Sequence, residues 1–306
     1  MASEGRPAAG AGGEPGPWTF RIAWIALPFT AGPLLSDALS STDDPFRVTV
    51  TVALWAIWAL TLAAALVERT VTLTIIRVAA PAAVAAVVWA IAAISSVEVW
   101  KAALAFASTL LATAAALSPL TGDAFVNGSA YGPERRMALR PTVPALLLAP
   151  LAWAIGVVGL AAGPLLLAAG APGPGVAALV VGGGLGVLAL RALYGLSRRW
   201  IVFVPAGLVI HDPLTMSDAV LFPRRSIVRL GPAEPSDAAS DRVLDVTGGA
   251  PGLALHVEVD VHQSIGVRDG RRRTTNLEVA DILVTPTRPG EVLAEARRRR
   301  ISVSAR

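Results

Sequence analysis

Histidine and acidic side chains alternate along one short segment, in the arrangement best suited to metal chemistry in this chain. One face of the predicted strand carries His256, Glu258, Asp260 and His262. Imidazole and carboxylate groups are suitable ligands for zinc or manganese. His256 and His262 lie roughly 20 Å apart at ~3.4 Å per residue, so only the neighbours Asp260 and His262 can share an ion. A solvated sheet face is the simpler interpretation, and we expect neither a metal nor another cofactor.

A second candidate is the pair His211 and Asp212, which ends another predicted strand. A histidine beside a carboxylate can act as an acid–base pair, but Asp212 precedes a proline, and Asp-Pro more simply starts a turn. The chain has no cysteine, which excludes disulfides, iron–sulfur clusters and thiol catalysis. It also lacks the serine-hydrolase elbow, the zinc-protease motif, the Walker A loop and the dinucleotide fingerprint. These features favour a protein that is not an enzyme.

The composition indicates a membrane protein. Hydrophobic residues make up 54% of the 306 residues and charged residues 16%, against about 25% charged residues in an average soluble domain. A membrane-spanning helix needs about 20 apolar residues. Six segments fit, namely Trp18–Leu39, Val48–Val67, Leu73–Ile94, Ala102–Leu120, Ala145–Ala169 and Val176–Leu196. The first is the least regular, because it contains Arg21, Pro28 and Pro33, and it stays open whether it crosses fully.

Basic residues are distributed unequally between the two sides of the predicted bundle. One side carries ten arginines: Arg6, Arg21, Arg69, Arg77, Arg135, Arg136, Arg140, Arg191, Arg198 and Arg199. The other side carries only Arg47 and Lys101. Cytoplasmic loops of membrane proteins are enriched in Lys and Arg, so we expect both termini to be cytoplasmic. With its single lysine and abundant alanine, glycine and proline, the chain is typical of a GC-rich bacterial genome, which implies the bacterial plasma membrane.

The predicted organisation has three parts. Residues 1–17 form a disordered tail, residues 18–196 an α-helical integral membrane domain, and residues 197–306 a cytosolic β-rich domain with a C-terminal helix. The expected strands of the last domain are Trp200–Val204, Leu208–His211, Ala219–Phe222, Ile227–Leu230, Leu253–His262 and Leu277–Thr285. Asp269-Gly270 is a plausible hairpin turn. Residues Pro289–Arg300 are expected to form the final helix.

Three stretches of this last domain carry a family resemblance. They are "RRWIVFVPAGLVIHDP", "VLFPRRSIVRLGP" and "ILVTPTRPGEVLAEARRR". In this order of strands, turns and capping helix, the domain resembles a bacterial pleckstrin-homology-like (PH-like) domain. The membrane part resembles multi-pass proteins of actinobacterial-type genomes. The resemblance implies a binding module for lipids, peptides or proteins and no catalysis, although fold alone does not fix function.

Basic clusters in the last domain are candidate contacts for lipids or a partner. They are Arg198-Arg199, Arg224-Arg225, Arg271-Arg272-Arg273 and Arg297–Arg300. Each arginine at a cytoplasmic membrane surface gains on the order of 1 kcal/mol from anionic lipids. The first cluster follows the last span, so we expect it at the headgroups, whereas a solvated surface is an equal alternative for the others. Without interleaved aromatic residues, the domain is not expected to bind nucleic acid.

Two features within the spans need an explanation. Arg77 is an intramembrane charge, which by default suggests a functional site, but near a helix end its long side chain can instead reach the headgroups. Gly182–Gly186 looks like a phosphate loop, although close packing of helices through small residues explains it better. No Asp, Glu, His or Lys lies deep within a predicted span, which disfavours an ion-coupled transporter.

The favoured function is a non-catalytic membrane scaffold or accessory protein whose cytosolic domain binds a protein partner or anionic lipid headgroups. The alternative is a transporter or channel component for a lipid or small molecule, regulated by that domain. A less favoured third possibility is an enzyme that acts on lipids. The polar connection Thr121–Pro144 is the only one between helices able to host such chemistry, and it is more simply a connector.

Overall fold

The computed structural model describes residues 15–234, 243–269 and 273–304. The chain divides into two compact units, Met1–Pro133 and Glu134–Arg306. Residues 1–14 of the predicted tail, Gly270 of the predicted turn, and two of the candidate arginines, Arg271 and Arg272, lie outside the described residues.

The described residues form nine helices. They are α1 (Pro15–Thr30), α2 (Gly32–Leu39), α3 (Asp44–Leu66), α4 (Thr70–Ala93), α5 (Val99–Leu117), α6 (Pro119–Asn127), α7 (Val143–Ala168), α8 (Pro172–Leu196) and α9 (Pro289–Arg298). Six helical segments are long and apolar enough to cross a membrane: Gly16–Leu39, Asp44–Leu66, Thr70–Ala93, Val99–Leu117, Val143–Leu167 and Pro172–Leu196. These segments confirm the six predicted spans to within about one helical turn.

Proline explains where several of these helices begin. α3, α7 and α8 each have a proline at one of the first two positions. At this position the missing N–H is not needed, and the fixed φ suits the helix. α3 and α8 therefore start up to about one turn before the apolar run. Pro81, Pro150 and Pro164 lie inside helices, as expected for membrane spans.

The first span is interrupted. α1 ends at Thr30 and α2 begins at Gly32, with Pro28 inside α1 and Pro33 in the first turn of α2. Each proline removes one backbone N–H from the helical ladder. The two prolines therefore divide the first span into two helices, and the segment as a whole is still long enough to cross a membrane.

In unit 2, residues 134–306, the described part of the chain forms α7, α8, α9 and eight strands. The strands are β1 (Arg135–Ala138), β2 (Trp200–Val204), β3 (Gly207–His211), β4 (Val220–Pro223), β5 (Ile227–Pro232), β6 (Val243–Asp245), β7 (Leu255–Asp269) and β8 (Arg273–Val284). They form two four-stranded sheets of order β1-β2-β3-β4 and β5-β7-β8-β6. The two sheets and the C-terminal helix agree with the predicted fold class.

The helical hairpin α7–α8 is an insertion in the first sheet. β1 precedes α7, β2 follows α8, and the two strands pair antiparallel with Ala138 opposite Trp200. Both ends of the hairpin therefore leave the sheet from the same end of adjacent strands. A strand and α6 thus occupy the stretch Thr121–Pro144, which sequence patterns indicated only as a connector.

One hydrophobic core joins the two sheets and α9. Phe203 and Phe222 from the first sheet lie in the same buried cluster as Val257 and Ile282 from the second. Val292 contributes from α9.

β6 pairs in parallel with β8. The sequence pattern does not predict this strand, because its three residues are too few to show an alternation.

Glycines allow α7 and α8 to approach closely. A Cβ atom added to Gly182 would lie 2.8 Å from the Cα atom of Gly159, and one added to Gly156 would lie 3.0 Å from the Cα atom of Gly186. A Cβ atom on Gly183 or Gly184 would meet no atom within 4 Å. The interpretation of Gly182–Gly186 as a helix-packing segment is confirmed, and the partner is α7 of the same chain.

β7 does not keep the regular alternation expected from its sequence. Its pairing with β8 shifts register between Glu258 and Gln263. A shift of this kind changes the face on which the following side chains lie. Val261, which strict alternation with the polar residues would place on the buried face, lies in the shifted stretch and is 56% exposed. His256 precedes the shift, and although it was expected on a solvated face it is only 6% exposed, because its side chain pairs with Asp281.

Candidate functional site at the base of the hairpin

The best candidate site in unit 2 is the junction between the hairpin and the two sheets. The backbone N–H of Leu139 donates to the oxygen of Arg199, at 3.0 Å, so the chain entering α7 stays paired with the chain leaving α8. The N–H of Arg140 donates to the oxygen of Thr285, the residue after β8 of the second sheet, at 2.8 Å. The N–H of Val143, the first residue of α7, bonds the oxygen of Gly248 at 3.2 Å. The base of the hairpin is thus bonded to both sheets.

Arg199 lies at the centre of this junction. Its Nη2 atom is 2.9 Å from Oδ2 of Asp212 and 2.6 Å from the oxygen of Val246, and its Nη1 atom is 2.6 Å from the oxygen of Arg140. The Arg199 side chain is 1% exposed. We expected Arg199 at the lipid headgroups, and this is corrected: its guanidinium is used inside the protein. Five rigid donors allow arginine to satisfy several acceptors at once.

The pair His211 and Asp212 has structural roles. The carboxylate of Asp212 accepts the backbone N–H of Leu214 and the hydroxyl of Thr215, both at 3.0 Å, which is the expected turn. His211 stacks on Trp200 with ring centres 4.8 Å apart, and its Nδ1 atom is 2.7 Å from the oxygen of Arg198. The two side chains thus have separate partners, and the geometry supports the turn rather than acid–base chemistry.

Three other arginines each lie two residues from the end at which Ala138 pairs with Trp200, and we call them the junction arginines: Arg136, Arg140 and Arg198. The guanidinium of Arg136 lies 5.7 Å from the ring centre of Trp200 and forms an ion pair of 3.2 Å with Glu134. Arg198 lies 5.8 Å from the ring centre of Tyr194. Cations combined with Trp and Tyr are typical of protein surfaces at the membrane interface.

Arg140 supplies the third cation of this surface. Its guanidinium packs on the backbone at Gly252, where an added Cβ atom would lie 3.0 Å from the Cζ atom of Arg140. Gly252 has φ +122°, so glycine is required there for both conformation and space. The sequence pattern indicates only the charge of Arg140, not that its backbone oxygen accepts a hydrogen bond from Arg199.

Arg224 and Arg225 lie at the opposite end of the first sheet. β4 pairs with β3 so that Pro223 faces Gly207, whereas the hairpin leaves from the end where Trp200 faces His211. Both arginines are exposed, about four residues, or roughly 13 Å, further along the strands. A small cavity of about 270 Å³ lies beside Arg224. The basic clusters therefore occupy two ends of the sheet rather than one surface.

The final helix carries the remaining basic cluster. Glu295 of α9 accepts the Nε–H groups of Arg298 and Arg299, at 2.9 and 2.6 Å. Burial of the Glu295 carboxyl opposes its ionisation, but the hydrogen bonds and charges of Arg299 and Arg298 outweigh it and hold the pKa of Glu295 below its usual value. Two arginines of this cluster are thus partly neutralised. Arg273 begins β8 and is exposed.

The structure divides the metal candidates between buried and exposed positions. Asp260 and His262 are both exposed. His256 instead faces the protein, with its Nε2 atom 2.7 Å from Oδ1 of Asp281 and its Nδ1 atom 3.3 Å from Arg229. Within residues 15–234, 243–269 and 273–304, no group of three or more His, Asp or Glu side chains could hold a metal ion.

Arg77 in unit 1, residues 1–133, has contacts within the protein. Its Nε atom lies 3.4 Å from the oxygen of Ala116, and a Cβ atom added to Gly122 of α6 would lie 2.8 Å from its Nη2 atom. Asp123, buried on α6, interacts with it electrostatically. Arg21 likewise forms an ion pair of 2.9 Å with Glu68. Arg77, which was expected to reach the headgroups, thus contacts α5 and α6 within unit 1, and Arg21 pairs with the carboxylate of Glu68.

Comparison of the chain with protein-family models, with curated proteins and with solved structures found no match.

Proposed function

We propose that this chain is a non-catalytic membrane scaffold whose β-rich unit binds anionic lipid headgroups through the junction arginines. The observation that carries the proposal is the insertion of α7–α8 between the paired strands β1 and β2. Because the hairpin spans the bilayer, the end of the sheet that bears Ala138 and Trp200 is held at the membrane surface. Arg136, Arg140 and Arg198 each lie two residues from this end of β1 or β2.

The architecture of the β-rich unit supports a PH-like binding module. Two sheets share one core, and a C-terminal helix contributes Val292 and Ala296 to it. The parallel pairing of β6 with β8 and the addition of β1 from before the hairpin are departures from a simple meander. On this proposal the unit faces the cytoplasm of a bacterial cell, as the distribution of arginines between loops predicts.

The far end of the sheet supports a scaffold role. Arg224 and Arg225 are exposed at the turn between β4 and β5, away from the hairpin. An acidic protein partner is the occupant that suits two exposed cations at this distance from the bilayer. The proposed scaffold therefore uses one end for lipid and the other for protein.

The test uses the full chain in nanodiscs that contain phosphatidylcholine with a minor fraction of photoactivatable phosphatidylglycerol. We expect crosslinks at the junction, and we expect Arg136→Gln, Arg140→Gln and Arg198→Gln together to lower the yield at least about tenfold, at ~1 kcal/mol per arginine. The matched control is the pair Arg224→Gln and Arg225→Gln, which should leave the crosslinks unchanged. Equal loss in both variants, or no preference for the anionic lipid, would contradict the proposal.

The partner role is tested separately by affinity purification of the full chain from native membranes in mild detergent, followed by mass spectrometry. A stoichiometric protein that is lost with Arg224→Gln and Arg225→Gln supports the scaffold. A preparation with no protein partner would contradict it.

A lipid transporter or channel component is the second candidate. The observation that favours it is the interrupted first span in unit 1, because helices broken by Gly and Pro often form binding sites in transporters.

A further inference from the structure

The break in the first span borders a cavity of about 470 Å³ in unit 1. Ala31, Gly32 and Pro33 at the break line this cavity together with residues of α3 and α4. Ligand sites usually have volumes of about 300–1,000 Å³ and mostly apolar walls. The cavity and the helix break are thus one feature of the fold.

Small side chains on α4 create the space. Ala79, Ala82, Ala83 and Ala86 all line the cavity. Their spacing of three and four residues places them on one face of the helix. Large side chains from α1 and α3, including Trp24, Trp55 and Trp58, also line it. The lining therefore combines small side chains on α4 with aromatic side chains from α1 and α3.

The indole groups of Trp24 and Trp58, which we take as the deep end of the cavity, do not offer hydrogen bonds to a polar ligand. Nε1 of Trp24 donates to the oxygen of Trp58 at 3.0 Å, and Nε1 of Trp58 donates to the oxygen of Trp24 at 2.9 Å. The hydroxyl of Thr109 bonds the oxygens of Ala105 and Phe106. With these donors engaged, the deep end suits a hydrocarbon chain.

The other end of the cavity is polar. Arg47, Ser36 and Thr51 line it there. Arg47 lies one turn into α3, and its side chain is 42% exposed while one Nη atom pairs with Asp44. Arginine has five N–H donors, so this pair leaves several that can bind a phosphate. The lining changes from cationic to apolar along α3.

The length of the cavity matches one lipid tail. From Arg47 to Trp58 the α3 axis rises about 16 Å, at 1.5 Å per residue. This is about half of the ~30 Å hydrocarbon core, which is the depth of one leaflet. A molecule that has a phosphate at one end and a hydrocarbon chain reaching to mid-membrane has the required shape.

We propose that this cavity binds one membrane glycerophospholipid, with an acyl chain between α3 and α4 and its phosphate beside Arg47. The site is separate from the junction arginines of unit 2. It gives unit 1 a lipid-binding role of its own, with the interrupted first span as one wall.

The test is native mass spectrometry of the full chain after transfer from vesicles of phosphatidylglycerol and phosphatidylethanolamine into detergent. We expect one retained phospholipid per chain. Ala83→Phe fills the cavity, and we expect it to lower the retained fraction at least about tenfold, because the tail loses buried apolar contact. The matched control is Ala92→Phe, at an exposed position of the same helix outside the cavity lining.

A second variant separates the headgroup from the tail. Arg47→Gln should reduce retention of phosphatidylglycerol but leave retention of diacylglycerol, which has no phosphate, unchanged. Thermal unfolding of each variant confirms that it is folded. The proposal is overturned if Ala83→Phe and Ala92→Phe retain the same amount of lipid, if wild type retains none, or if a second copy of the chain is found in place of lipid.

Discussion

The guanidinium of Arg199 lies 2.9 Å from the carboxylate of Asp212, and both side chains are buried. Arg199 follows the last span, and Asp212 follows β3. Arg199 also bonds the oxygen of Arg140, which precedes α7, and the oxygen of Val246, which follows β6. This single side chain therefore connects the two ends of the hairpin with segments that follow a strand of each sheet. Arg199, which the sequence places near the lipid headgroups, thus stabilises the interior of unit 2.

We expect Asp212→Asn and Arg199→Met each to lower the free energy of unfolding by about 3–5 kcal/mol, because each leaves one buried charge or its acceptors without a partner. Thermal unfolding followed by tryptophan fluorescence measures the effect. Changing both residues together should cost less than the sum of the single changes. Arg225→Gln, at an exposed position, is the control and should have little effect. Additive losses would show that the ion pair is not the cause.

The side chain of Trp58 replaces a backbone hydrogen bond that is missing from α1. Pro28 has no N–H to bond the oxygen of Trp24 four residues earlier, and Nε1 of Trp58 donates to that oxygen instead. Trp58→Phe should therefore destabilise unit 1 by about 0.5–1.5 kcal/mol. In a Pro28→Ala background, where the helix supplies its own N–H, the same change should cost less. A double-mutant cycle of unfolding free energies checks this, and an equal cost in both backgrounds would contradict it.

The glycines of the hairpin predict a position-dependent response to larger side chains. Gly182→Leu should separate α7 from α8, because a Cβ atom there already approaches the backbone of Gly159 within 2.8 Å. Gly184→Leu, one half-turn away, meets open space and should be tolerated. Crosslinking between cysteines introduced on the two helices measures their proximity. Equal crosslinking in the two variants would count against this packing.

Glu295 predicts an acid-sensitive contribution to stability. Its folded pKa lies below the ordinary 4.5, so its ion pairs with Arg298 and Arg299 stabilise unit 2 above that pH. This contribution is lost as the pH falls from about 4.5 through the lowered folded pKa. Glu295→Gln should therefore reduce stability at pH 7 and flatten the dependence below about pH 5. Melting temperatures of both proteins between pH 3 and 7 test this, with Glu278→Gln, at an exposed position of β8, as the carboxylate control.

The spans and most strands could be predicted because long apolar runs and β-branched segments carry strong local signals. β1 could not be, because its four residues become a strand only by pairing with β2 more than 60 residues later. The burial of His256 depends on Asp281 from another strand, and that of Arg199 on acceptors from three segments. The cavity could not be predicted either, because alanines of α4 and residues at the break in the first span line it together, and these are distant in the sequence.

The insertion of α7–α8 also orders events during synthesis. The ribosome completes β1 several seconds before β2 emerges, at about 5–20 residues per second, and the intervening chain enters the membrane. The first sheet can close only after both helices have been inserted. A fragment that starts at residue 197 would lack β1 and expose the edge of β2, which makes it prone to aggregate. Formation of the first sheet therefore indicates that α7 and α8 have been inserted into the membrane.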